Sequence, residues 1–308
     1  MANIWDGKAW GIDLSRYQAV ANIPAGVIDF GIAKLGGSEN GVFTDPKFSA
    51  HVQSIYDAGA VPLAYWYVDS SYYTSRGYTM SGMTGQTNDK HPILQKIIDG
   101  LRAGNGWKAV KALFFDLETP GAGDIWNAAY LEDLRNRIAD LRKTGGFPNI
   151  PLGLYSRASF IDNQLSVRTW LEQRPEVIIW TANYTSALPA LNAPLAQIRR
   201  DRLPVQKPLW FGDNTAKPKQ YRRFFQYQGS SASTAVISCP EVLNGSGNPS
   251  ALDLNVWEGS PAELRAEFGM TQTTPPPVEP PTTGDTDLAK LAARVERLEA
   301  WMKAVNEG

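Results

Sequence analysis

The chain has 308 residues, 43% of them hydrophobic and 20% charged, with 30 Lys and Arg against 31 Asp and Glu for a formal net charge of -1. So even a balance, with no basic tract, argues against nucleic acid as the main partner, because there is no footprint to displace counterions from phosphates. A single cysteine, Cys239, excludes an intrachain disulfide, and with only His51 and His91 as imidazoles a zinc cluster or redox centre is not expected.

No run of eighteen apolar residues appears, and the opening MANIWDGKAWGID carries an acid where a signal peptide would be basic and then apolar. The expectation is a chain with neither signal peptide nor membrane span. Ten Trp, 12 Tyr and 11 Phe permit a carbohydrate ligand, since aromatic faces stack on sugar rings, although each can equally be core.

In chain order, apolar runs that read as strands occupy 9–15 (AWGIDLS), 30–35 (FGIAKL), 61–68 (VPLAYWYV) and 112–118 (ALFFDLE). Four more follow at 151–156 (PLGLYS), 177–184 (VIIWTANY), 224–228 (FFQYQ) and 252–257 (LDLNVW). Helices are predicted at 46–58, 91–103, 127–144 and 158–173. Strand then helix, repeated, predicts a parallel sheet, and eight strands in one domain predict an α/β, TIM-like barrel. The last strands lack full intervening helices, so the barrel should be irregular, with five regular units and a meander-like end. A Gly-, Ser- and Tyr-rich stretch from Ser70 to Lys90 follows the third strand and reads either as a substrate-contacting loop or as a disordered insertion.

The predicted catalytic barrel covers residues 1–270. Residues 271–286, TQTTPPPVEPPTTGDT, form an extended Pro/Thr linker reaching about 50 Å at polyproline spacing. In 287–308, Leu288, Leu291, Val295, Leu298, Met302 and Val305 fall on a and d positions of a heptad, with Arg294 at g and Glu299 at the next e. This predicts a short coiled-coil helix joining two or three chains or docking onto another protein; the alternatives are a helix folding back on the barrel or a frayed tail.

The chemistry resides in four acids. Asp116 and Glu118 end the fourth strand two residues apart, which puts both on one face of the sheet. Paired carboxylates at such a strand end suit glycosidic-bond hydrolysis, one protonating the leaving oxygen while the other stays ionised. Alone, D-x-E is a weak signal. Asp13 ends the first strand and Asp253 lies in the last, each flanked by apolar residues. Each reads either as a helix cap or loop aspartate, or as a member of the same site. In a closed barrel the two strands are neighbours, so Asp13 and Asp253 would face Asp116 and Glu118 across one mouth and raise at least one pKa by repulsion.

Taken in order, GIDLSRYQ, FGIAKLGGS, AGAVPLAYWYV, ALFFDLE, PLGLYS, IIWTANY, FFQY and ALDLNVWEGS resemble the signature strands of glycoside hydrolase family 25, the Chalaropsis-type lysozymes, over roughly residues 9–268. The resemblance implies a flattened (β/α)5β3 barrel that hydrolyses the β-1,4 bond between N-acetylmuramic acid and N-acetylglucosamine in peptidoglycan, without metal or organic cofactor. It implies Glu118 as proton donor, with Asp116, Asp13 and Asp253 as the other catalytic acids, and Tyr65, Tyr155, Trp180 and Gln226 on groove-lining positions. Retention assisted by the substrate N-acetyl group is the family's suggestion. This chain departs from the pattern after the third strand. The usual aromatic-His-aromatic reads Tyr65-Trp66-Tyr67 here, and the stretches 70–90 and 189–219 look longer than in a minimal barrel.

A wall hydrolase expected to lack a signal peptide points to a bacteriophage or prophage lysin, held in the host cytoplasm until its release. The alternatives are a virion-associated hydrolase that opens the wall at infection and a glycan-binding barrel without turnover.

Overall fold

The computed structural model describes residues 5–38, 42–68, 94–102, 110–118, 131–133, 135–136, 139, 150–157, 165–174, 176–182, 190–204, 223–228 and 237–270. The chain divides into two units, Met1–Gln272 and Thr273–Gly308. The linker and heptad segment expected at 271–308 lies outside the described residues, as do the 70–90 loop and most of 189–219.

Eight strands close into a ring: β1 (Trp10–Leu14), β3 (Phe30–Gly37), β5 (Val61–Tyr67), β6 (Leu113–Asp116), β7 (Leu152–Arg157), β8 (Ile178–Ala182), β10 (Arg223–Gln228) and β13 (Asp253–Trp257). The order is β1-β13-β10-β8-β7-β6-β5-β3, and a further pairing of β3 with β1 shuts it. These are the eight strands read from the sequence. Seven run parallel, while β13 is antiparallel to both its neighbours, β1 and β10.

Five short strands fall outside that reading. The pair Phe43–Thr44 (β4) extends β3. A separate small sheet joins β2 (Val20–Ala21), β11 (Ile237–Leu243) and β12 (Pro249–Ala251), with β9 (Leu191–Asn192) alongside β11. Of its strands, β11 and β12 fall between β10 and β13 in the chain.

Helix α1 (Phe48–Asp57) buries Phe48, His51, Val52 and Ile55. Gly31 on β3 is what lets it approach, since an added Cβ would stand 2.5 Å from Ile55 Cγ1. Helix α2 (Leu94–Arg102) buries Ile97, Ile98 and Leu101 in the layer around the barrel, and α3 (Leu165–Glu172) buries Trp170 and Leu171 there. Of the predicted 127–144 helix, residues 131–133, 135–136 and 139 are described, and they are helical. There Glu132 is clasped by Arg135 and Arg174 and receives the indole N–H of Trp170 at 2.8 Å. Helix α4 (Leu195–Asp201) sends Arg199 to Asp29 at 2.6 Å and to the Val27 carbonyl at 2.7 Å.

Period-two alternation sorts each barrel strand into an outward and an inward set. Outward residues such as Trp10, Ile12, Ala64, Trp66, Phe115 and Leu154 join the core beneath the helices. Inward residues Phe30, Ile32, Val61, Leu63, Phe114, Ile178, Phe224 and Trp257 fill the barrel itself. Helix α5 (Pro261–Glu267) and the residue after it close the bottom with Leu264 and Phe268. Space inside is tight: an added Cβ at Gly153 would lie 2.2 Å from Phe114 Cδ1.

Candidate active site

The same alternation that places Phe114 and Phe224 in the packed interior places Asp116 and Gln226 one step nearer the mouth. The strand ends at that mouth carry the acids read from the sequence. In the pairing of β1 with β13, Asp13 and Asp253 are direct cross-strand partners, followed by Gly11 opposite Asn255. Asp116 ends β6, beside Tyr67 on β5 and Tyr155 on β7. Glu118 lies two residues beyond Asp116 and is half-buried. Its segment is pinned on one side by β7, where Leu117 N–H donates to the Tyr155 carbonyl at 2.9 Å and Ser156 Oγ donates to the Leu117 carbonyl at 2.7 Å.

Asp13 is held by two side-chain amides. Its Oδ2 accepts from Gln226 Nε2 at 2.9 Å and from Asn255 Nδ2 at 2.8 Å. Gln226 in turn accepts from the Tyr155 hydroxyl at 2.6 Å, and Asn255 accepts from Trp180 Nε1 at 2.9 Å. Burial pushes the Asp13 carboxyl well above the usual carboxylate range, and the Asp253 charge adds to the rise, against the two amide donors. Tyr65 looks onto the same cluster: burial first, then the charges of Asp13, Asp116 and Asp253, hold its hydroxyl far above its ordinary value.

The four residues expected to line a groove occupy distinct places. Tyr155, Trp180 and Gln226 are 3%, 2% and 3% exposed, so they form the floor beneath the acids and spend their polar atoms on the Asp13 network. Trp180 is clasped by Tyr155, Phe114 and Tyr65, with ring centroids 4.3, 5.4 and 5.8 Å away. Tyr65, only half-buried, stands at the upper edge of that floor.

Residues missed in the sequence complete the rim. Lys34, on the inward face of β3, is buried with its Nζ 5.2 Å from the Tyr67 ring centroid, 5.6 Å from Phe43 and 5.9 Å from Tyr65. The Arg16 guanidinium stacks 4.8 Å from the Phe43 centroid and 5.4 Å from Tyr17, whose own ring is exposed. The opening motif also gains a physical reason. Gln18 receives Ser15 N–H at 2.8 Å and donates to the Ala251 carbonyl at 3.0 Å, so the turn after β1 is clipped to the strand that leads into β13. Asp45 holds the same turn by accepting from Arg16 N–H at 2.7 Å, and His51 Nε2 lies 3.2 Å from the Ser15 carbonyl. Trp66 faces the outer core and away from the mouth.

Among the described residues no group of three or more His, Cys, Asp or Glu is arranged to hold a metal ion, and no helix is long and apolar enough to cross a membrane.

No protein-family model matches the chain, and no curated protein matches it significantly in sequence. Solved structures do show a likeness. A bacterial lysozyme from Streptomyces coelicolor is 17% identical with a TM-score of 0.49, over 86% of this chain and 99% of that one. The catalytic domain of an endolysin from a bacteriophage of Listeria monocytogenes is 12% identical with a TM-score of 0.46, over 86% and 98%. A family 25 glycosyl hydrolase from Bacillus anthracis is 14% identical with a TM-score of 0.45, over 85% and 94%.

Proposed function

We propose that the barrel is a glycoside hydrolase of family 25 type, a muramidase cleaving the β-1,4 bond between N-acetylmuramic acid and N-acetylglucosamine in peptidoglycan. The observation that carries this reading is the ring closure, which brings Asp13 and Asp253 together as cross-strand partners at the mouth where Asp116 ends β6 and Glu118 follows. Acids this far apart in sequence converge on one aromatic-walled opening, and glycoside hydrolysis needs carboxylates in different protonation states side by side.

In this reading Glu118 gives its proton to the leaving glycosidic oxygen. Asp116 stays ionised and either stabilises positive charge at the anomeric carbon or orients the substrate N-acetyl group for attack with retention. Asp13 and Asp253, cross-strand partners, set the field at the mouth. Tyr65 offers a ring to the sugar from above that floor. We assign the enzyme to bacteriophage or prophage lysis of the host wall, and the 287–308 heptads to holding two or three barrels on one wall by avidity.

The test is a turbidity and reducing-end assay on purified peptidoglycan with wild type beside Glu118→Gln. New reducing ends from wild type, reduced at least about 100-fold in the variant with circular dichroism unchanged, support the reading. Binding to walls without reducing ends from any source would replace it with a glycan-binding barrel. Co-expression with a membrane pore-former tests the lysis role, which requires the cells to clear only when both are present.

A further inference from the structure

Two side-chain amides meet Asp13, and an amide can present either its oxygen or its nitrogen, which differ in effect by the sign of a dipole. The structure leaves no such freedom at Asn255. Its Oδ1 lies 2.9 Å from Trp180 Nε1, and an indole nitrogen donates but never accepts. Asn255 must therefore turn its oxygen to Trp180 and its nitrogen to Asp13, 2.8 Å away. The indole itself cannot rotate out, because Tyr155, Phe114 and Tyr65 enclose it and it is almost fully buried.

The consequence concerns where a proton can sit. Asp13 Oδ2 already accepts two N–H groups, so a proton there would meet two donors head on. Asp253 is the cross-strand partner of Asp13. We propose that Asn255 and Trp180 are positioning residues for Asp13: the indole fixes the Asn255 amide as a donor, and the amide confines a proton on this carboxyl to Oδ1. The proposal builds on the muramidase reading only where it touches rate; the proton placement stands on the hydrogen bonds.

Asp253 on β13 and the Gln226 amide on β10, with Tyr155 on β7 behind it, face Asp13, and Asp13, Asp116 on β6 and Asp253 all act on Tyr65 on β5. Lys34 on β3 stands against the Tyr65 ring, and Asp45 acts on Tyr65 from beyond it. A change at Trp180 touches Tyr155 and Tyr65, which enclose the indole, whereas Asn255→Leu leaves the ionisable groups in place and reads the amide more directly.

The experiment is a pH titration of the full chain carrying 13C-carboxyl aspartate, with the Asp13 signal assigned by its loss in Asp13→Asn. Asn255→Leu removes one donor to the ionised form, and the Asp13 midpoint should rise by about one pH unit. Trp180→Phe keeps a ring in the aromatic clasp but frees the amide to turn, and should move the midpoint in the same direction by less. If wild type hydrolyses walls, the pH–rate profile should shift alongside. A midpoint that stays put in both folded variants overturns the proposal, whatever happens to stability or rate. Should Asn255→Leu fail to fold, Trp180→Phe decides alone. A midpoint that moves while wild type releases no reducing ends sustains the proton placement and removes the muramidase reading.

Discussion

The lower interior of the barrel and its mouth are built from the same strands, two residues apart, and behave as opposites. Phe114 lies below Asp116, Phe224 below Gln226, and Trp257 below Asn255 and Asp253. Below, rings pack edge to face, Phe224 standing 4.9 Å from Phe30 and 5.5 Å from Phe114. Above, nearly every inward position is polar, and at least one carboxyl is held at a cost to folding. Packing at the bottom supplies stability, which the mouth spends on holding acids out of water.

Substitutions on either side of that boundary should therefore separate stability from activity. The largest effect is expected from Phe114→Ala, which empties the centre of the ring cluster and should lower unfolding free energy by about 3–5 kcal/mol in a denaturant titration, because a cavity remains. Gly153→Ala approaches the same ring from the opposite side. Its methyl has no room beside Phe114, and a loss of about 1–3 kcal/mol is expected in the same titration.

Asp13→Asn should break the pattern by changing sign. The amide oxygen can still accept from Gln226 and Asn255 while its nitrogen donates to Asp253, and no charge is buried. Because burial raises the folded-state pKa of Asp13, its contribution to stability is fully present below the unfolded value near 3.8 and is lost as pH rises through the folded value. The variant lacks that loss, so its stability at neutral pH should exceed that of wild type by about 1.4 kcal/mol per pH unit of the shift, while wall hydrolysis falls. Unfolding curves at pH 4 and pH 7 check this; an advantage equal at both pH values would refute it. The smallest change belongs to Ser260→Ala at the start of α5. It removes the hydroxyl of a capping box with Glu263 and should cost about 1 kcal/mol, read as a small drop in melting temperature with no effect at the mouth.

Much of this architecture is legible in the sequence because its barrel strands combine apolar runs with strict alternation. WGIDL and LFFD announce both their strand and the side that faces inward. The direction of DLNVW is another matter: alternation is the same read either way, so its antiparallel course appears only in the register with WGIDL. The small sheet escaped for a different reason. Two-residue strands such as Val20–Ala21 carry no period, and ISCPEVL holds Pro240, which lacks the N–H a central strand would use. At the site, the acids could be placed by their strand ends, but the amides that hold Asp13 could not. Trp180 and Asn255 are joined across 75 positions by one hydrogen bond that neither residue's neighbours foretell. Nor does alternation measure depth, so Tyr155 and Trp180 read as equally available to a sugar as Tyr65, although both are sealed beneath it.

The seam between the first barrel strand and the last has a consequence for the order in which the protein comes into being. Asp13 leaves the ribosome early, yet its hydrogen-bond donors lie 213 and 242 residues further along the chain. Contacts of such long range form late in folding. Until β13 is made, Asp13 lacks its cross-strand partner Asp253 and the Asn255 donor. A nascent or shortened product that lacks residues 253–257 therefore has neither the closed ring nor the Asn255 donor to Asp13.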